Sequence, residues 1–198
     1  MKLKIVQTGD PVLRKQSRAL TKEEILSPAT QVLIDLMRDT MRAAPGVGLA
    51  APQIGKSIQL AVIEDPAGTI SDLSPDELTQ RQRVPIPFHV IINPKLTVVG
   101  KSSATFFEGC LSVQGYQAIV DRALSVRVEC LNERGEKITI NASGWYARIL
   151  QHEIDHLNGI LYVDRMKTRT YTTGENMSRY WIDHTIEEVL DEVGDPLD

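Results

Sequence analysis

Residues 152–156 read His-Glu-Ile-Asp-His. On a helix each residue advances by about 100°, so positions four apart lie about 40° apart and one turn up. His152 and His156 then aim two imidazoles at one ion, and Glu153 stands beside the first, within reach of a water on that ion. This is the pattern of metal-assisted hydrolysis. Histidine is scarce, at 4 of 198 residues. A chance pair at this spacing with a glutamate between is therefore rare. The plain alternative, two surface histidines beside an incidental acid, is disfavoured.

Two imidazoles leave the ion short of a ligand. A third histidine six residues after His156 would follow the metzincin pattern, but Tyr162 occupies that position. Glu175 lies at a plausible distance for a glutamate ligand. The other candidates are cysteines. Cys130 sits at an inward position of the alternating run LSVRVECL, where a free thiol behaves as a small hydrophobe. Cys110 follows Gly109 at a strand end, where a glycine lets the backbone approach a site closely; it is the better ligand. Two rivals stay open. One is a metallopeptidase using Glu175. The other is a structural site closed by Cys110, Cys130 and both histidines, with no open coordination position.

The elements that must place these groups are legible in outline. Ser143 can cap a helix that runs to about Leu157 and is closed by Asn158 and Gly159. Trp145, Arg148, Ile149, His152 and His156 share one stripe of it. Trp145 either walls a pocket or fills the core. Asp155 either orients a ligand histidine or faces solvent. An earlier helix is capped by Ser27 with Pro28 at its first position. Its apolar face is Val32, Leu33, Leu36, Met37, Thr40, Met41 and Ala44, and Pro45 and Gly46 end it.

Residues 46–55 (GVGLAAPQIG) read as a glycine-rich loop, 59–64 as a buried strand, and 65–87 as a surface insert with one helical turn near Pro75 to Leu78. Strands follow at 88–92, 95–99, 104–107, 119–121, 124–131 and 137–141, with a hairpin turn at 132–135. A third helix covers 176–192. The order argues for one α+β domain over residues 1–198, with mainly antiparallel strands around the HExxH helix. GVGLAA also fits GxGxxA, but a helix precedes it and Pro52 follows. A phosphate cradle is therefore disfavoured against a loop whose backbone flanks an extended peptide.

Bulk properties narrow the class. Hydrophobic residues make 42% and charged residues 24% of the chain, as in an ordinary globular domain, and the net charge of −4 gives no basic field for nucleic acid. Two cysteines make no disulfide framework, which points to a reducing compartment. No apolar run approaches the ~20 residues of a membrane span, and the N-terminus lacks the apolar stretch of a signal peptide. The sequence carries no mark of an oligomeric state.

Three motifs stand together: GVGLAAPQ (46–53), EGCLS (108–112) and QHEIDH (151–156). With them the chain resembles peptide deformylase over about residues 5–170. The resemblance implies a linear amide hydrolase that removes the formyl group from N-formylmethionyl nascent chains. It implies Cys110, His152 and His156 as ligands of one divalent ion, typically Fe(II) and replaceable by Zn, Ni or Co. Glu153 would be the catalytic carboxylate, and Gln53 and the Leu111 N–H would be donors to the formyl oxygen. Val47, Gly48, Phe106 and Trp145 are the expected substrate contacts. The chain departs from the commoner pattern at Gln114, often Pro, and at Gln117, often Arg. The insert and the GWYARILQHE stretch resemble the subgroup that includes organellar enzymes. Bacterial cytoplasm is the expected location, with an organelle matrix as the alternative. Some bacterial relatives dock on the ribosome through a basic C-terminal helix. Here residues 176–198 hold seven acidic residues and one arginine, so ribosomal RNA would repel this segment.

Overall fold

Thr21 closes a capping box with Glu24 and opens α1 (Lys22–Leu26). Ser27 then accepts from the Thr30 N–H, Pro28 takes the first helical position, and α2 runs Pro28–Ala43. Its buried face is Thr30, Ile34, Met37, Thr40 and Met41. The expected stripe is thus rotated: Val32 is exposed, because it lies about 140° around the helix from Met37. The computed structural model describes residues 2–71 and 73–194.

Among the described residues eight strands form two antiparallel sheets. They are β1 (Gly48–Ala50), β2 (Leu60–Asp65), β3 (Ile86–Val98), β4 (Ser103–Cys110), β5 (Val113–Ala123), β6 (Ser125–Leu131), β7 (Lys137–Ser143) and β8 (Thr172–Thr173). The larger sheet has the order β1-β2-β3-β6-β7 and the smaller β4-β5-β8. Part of the glycine-rich loop is therefore a strand. β1 pairs with β2, Gly48 opposite Ile63, and forms an edge of the larger sheet. The strands expected at 88–92 and 95–99 are one strand bent at Asn93, which has φ of 50°. The Asn93 side chain accepts from the Leu20 N–H and donates to the Leu20 carbonyl, which anchors the bulge.

At β1 and β2 the larger sheet is buried on both faces, whereas β6 alternates buried and exposed residues and β7 is largely exposed on one face; at β2 strand alternation divides the core. Leu60 and Val62 of β2 pack with Ile34, Met37 and Met41 of α2. Ala61 and Ile63 face the other way, towards Ala147, Leu150, Ile154 and Leu157. Those four belong to α5 (Gly144–Leu157), which packs on β1, β2, β3, β6 and β7 of the larger sheet and on β5 of the smaller. Ser143 stands at the N-cap of α5 but makes no side-chain cap hydrogen bond. The Gly144 N–H donates instead to the Leu124 carbonyl.

The insert after β2 is more ordered than a loop. It forms α3 (Ala67–Ile70) and α4 (Pro75–Arg81), the latter opened by a Ser74–Glu77 capping box. It is tied back by Arg83, which donates through Nε and Nη2 to the fully buried Asp65, at 2.8 and 3.0 Å. Gly144, at φ +59°, makes this docking possible: a Cβ there would meet the Gln82 Cβ at 2.4 Å. The helix expected at 176–192 is broken into Gly174–Asn176, a π-turn Met177–Trp181, and Ile186–Val193. A new capping box of Thr185 with Glu188 starts the last piece. Residues 195–198 of the expected acidic segment lie outside the described residues.

Candidate metal centre

The helical spacing read at 152–156 is realised on α5, where the His152 and His156 rings lie 5.0 Å apart at an interplanar angle of 74°. β4 ends beside them and delivers Cys110, whose Sγ is 3.3 Å from the His156 Nε2. Ligand atoms of Cys110, His152 and His156 all lie within 4.8 Å of one another, and they are the only such His, Cys, Asp or Glu group among the described residues. Neither Glu175 nor Cys130 belongs to it. Cys130 is buried in the core with α5, and burial pushes its thiol up to about 11.

The donor set fits a divalent transition ion on three grounds. A thiolate and two imidazoles suit such ions. The His152 Nδ1 lies 3.1 Å from the Glu108 Oε2, which fixes that ring and leaves its Nε2 for the ion. Burial holds the His156 pKa well below its ordinary value, which suits a neutral ligand, whereas burial opposes a charge on His152 but Cys110 and Glu108 hold its pKa well above the ordinary value, so positive charge is favoured at that place. Beside the set, Glu153 is 4% exposed and its Oε2 has no hydrogen-bond partner. Burial lifts its carboxyl to about 7, where a group can both take and return a proton.

The remaining walls come from the glycine-rich segment and the β4–β5 corner. Gln53 is buried, and its Oε1 accepts from the Ala50 N–H at 2.8 Å. That bond aims its Nε2 at the metal site, 3.5 Å from the Cys110 Sγ and 3.4 Å from the Ser112 Oγ. Gly48 must lack a side chain, because a Cβ there would stand 2.2 Å from the Glu153 Oε1. Leu111 packs over Gly46 in the same way, at 2.8 Å from a hypothetical Cβ.

These residues open onto a cleft of about 980 Å³ lined by Val47, Gly48, Gln53, Leu111, Trp145, His152 and Glu153, among others. Trp145 both lines the cleft and packs on the core. Phe106 does not line it. Neighbours on β4 face opposite sides, so Phe107 takes the cleft. Phe106 instead packs edge-on against Trp145, at 6.1 Å between centroids. The insert also reaches the cleft through Pro66, Thr69 and Arg83.

Asp155 takes neither expected role. It is buried and binds Arg122 and Arg165, and Glu108 is the carboxylate that meets the His152 ring. Glu108 also receives Arg122 at 2.9 and 2.9 Å and Arg148 at 2.6 Å. Burial opposes its charge, yet His152 and the Arg122 guanidinium hold its carboxyl far below the usual range. A signal for Glu108 was present: in a strand, residues two apart share a face, and Glu108 stands two before Cys110.

An α+β scaffold with one sulfur and two imidazole donors, a buried glutamate and a cleft is an arrangement suited to metal-assisted hydrolysis. A sequence model described as polypeptide deformylase matches residues 2–171, and the chain belongs to that family. It is 52% identical over 173 residues to peptide deformylase 1A, chloroplastic, of Solanum lycopersicum, covering 87% of this chain and 62% of that one. It is 45% identical to peptide deformylase 3 of Streptomyces avermitilis, covering 97% and 84%. The chain thus spans under two thirds of the tomato relative's length. A crystal structure of the class I type b peptide deformylase of Acinetobacter baumannii with Met-Ala-Ser bound superposes with a TM-score of 0.74 at 32% identity, covering 84% of this chain and 99% of that one. Among the described residues no helix is long and apolar enough to cross a membrane.

Proposed function

We propose that this protein hydrolyses the N-formyl group of N-formylmethionyl nascent peptides. In this reading Cys110, His152 and His156 hold one divalent ion, and Glu153 is the acid/base. The reading is carried by one observation: a cysteine sulfur meets two imidazoles from a distant part of the sequence beside a buried glutamate, and Cys110, His152 and Glu153 line a cleft. When bound, the ion supplies Lewis acidity that makes water nucleophilic near neutral pH. Glu153 takes the proton of the attacking water and delivers it to the departing amine, so formate and a free N-terminus result. The Gln53 amide and the Leu111 N–H donate to the formyl oxygen as its charge grows.

β1 offers an edge on which an extended peptide can add as a strand. Val47, Gly48, Phe107 and Trp145 then border the first side chain. The Acinetobacter neighbour has Met-Ala-Ser bound, which supports a peptide beginning with methionine as the ligand. The resemblance favours Fe(II) in the cell, with Zn, Ni or Co as substitutes, and a bacterial cytoplasm before an organelle matrix. Formate release from formyl-Met-Ala-Ser by anaerobically purified protein, with metal analysis of the same sample, tests the reading. A metal-loaded protein that releases no formate overturns it.

Gln53→Ala should lower kcat/KM by about 100-fold, since one oxyanion donor is worth about 3 kcal/mol. Steady-state kinetics at equal metal content check this, and a change below about threefold removes Gln53 from the role. The acidic C-terminal segment has Glu187, Glu188, Asp191 and Glu192 exposed, and it should not anchor the protein on ribosomal RNA. Deleting residues 186–198 should leave cosedimentation with ribosomes unchanged; binding that depends on this segment contradicts the proposal.

A further inference from the structure

The buried ion-pair chain behind His152 does not end at Glu108. Arg122 spans two acids, giving Nε and Nη2 to Glu108 and Nη1 to Asp155. Asp155 is in turn held by Arg165, whose Nε and Nη2 reach Oδ2 and Oδ1 at 2.7 and 2.7 Å. Arg122 and Glu108 side chains are 3% and 5% exposed, and Asp155 is 11% exposed, whereas Arg165 is 44% exposed. One continuous chain of charge-assisted hydrogen bonds thus runs from a half-exposed guanidinium to the ring nitrogen of a metal-site histidine. Three arginines face two carboxylates in it, counting Arg148 on Glu108.

We infer that Arg165 is a positioning residue for the metal centre, acting through Asp155, Arg122 and Glu108 on His152. This rests on the metal reading above. Arg165 Nη2 donates to the Asp155 Oδ1, and Oδ2 is shared between Arg165 and Arg122. With Arg165 gone, a buried carboxylate is left short of donors, and its nearest remaining cation is Arg122. A carboxylate and a guanidinium favour a two-point match. Arg122 is then drawn from Glu108 towards Asp155, and Glu108 loses one of the partners that fix its Oε2 against the His152 Nδ1. The ligand ring gains freedom, and the ion is held less well. Arg165 does not touch the cleft: it is absent from the lining, and its partner Asp155 lies at the far end of α5 from Trp145.

Co(II) is the probe. Its affinity is read by competition with a chelator, and its coordination by visible absorption. Changes at outer partners of metal ligands typically weaken affinity by about 10–100-fold. Arg165→Ala, several bonds removed, should sit near the low end, about tenfold, with a shifted cobalt spectrum and faster metal release. Arg165→Lys restores a charge but not the two-point geometry, so it should recover the affinity in part. Asp155→Asn, which breaks the chain one step nearer, should equal or exceed the loss in Arg165→Ala. Melting curves taken on the same samples separate this from unfolding, because a merely structural arginine lowers the midpoint without moving the cobalt spectrum. Wild-type affinity and spectrum in Arg165→Ala, with wild-type binding normal, overturn the inference alone. A wild-type protein that binds no Co(II) sinks the metal reading and the inference together.

Discussion

Glu153→Gln should reduce formate release by about 10²–10⁴-fold while the protein keeps its metal, the range general acid–base catalysis contributes. The two side chains are nearly isosteric, and the pocket is tight. Gly48 approaches the Glu153 carboxylate so closely that a Cβ would overlap Oε1, so an amide fits where a larger group does not. The unpartnered Oε2 means that the substitution breaks no hydrogen bond on that oxygen. The stability effect should therefore be small. Replacing a buried carboxyl by an amide removes the penalty of burying a charge, and the melting temperature should hold or rise slightly. The measurement is formate release beside metal content in the same preparation. Activity retained with metal bound would discard Glu153 as the proton carrier. Metal lost together with activity would make Glu153 a ligand.

The contrast between what the sequence disclosed and what it hid follows from the range of each interaction. The pair His152 and His156 is a local fact of helical geometry, and four residues of spacing suffice to read it. Cys110 is forty-two residues away, and only its glycine neighbour and strand-end position marked it. The layering of the core was legible where alternation is strict. Leu60, Ala61, Val62 and Ile63 are all apolar because β2 is covered on both faces, which is why a short apolar run reads as a buried strand. The face of α2 was misread because Val32 is apolar yet exposed, and an exposed apolar residue carries no signal of its own.

The misplaced residues share one cause: their roles depend on pairing partners that local pattern does not specify. Phe106 and Phe107 are identical in type and adjacent, so only the register of β4 against β5, with Phe107 opposite Ile119, decides which one meets the cleft. Asp155 sits one residue from His156, a candidate ligand, which made an orienting role attractive. Arg122 and Arg165 come from β5 and from the segment after α5, and they claim it through tertiary contacts. The insert reads as loop because its prolines and polar residues punctuate it. Its docking depends on Asp65, Arg83 and the missing side chain of Gly144, three positions that no local window joins.

Cys110→Ser should separate the rival ligand sets. A serine hydroxyl is not deprotonated near pH 7 and is a poor ligand for a soft or borderline ion, so one of three protein donors is lost. Four-ligand zinc sites bind with roughly 10–16 kcal/mol, on the order of 3 kcal/mol per donor. Losing one therefore weakens affinity by about 100-fold, and turnover at limiting metal should fall close to background. Cys130→Ser is the internal control. That thiol lies among Val128, Ile138 and Ile149 with its pKa pushed up to about 11, so it is protonated and takes no part in binding metal. The substitution should cost stability through a buried hydroxyl and leave affinity unchanged. If Cys110→Ser keeps full metal occupancy, the sulfur is no ligand and a downstream carboxylate such as Glu175 must hold the ion instead. If both cysteine variants lose the metal equally, a closed four-donor site is implied, and such a site leaves no coordination position for the hydrolytic water that Glu153 would serve.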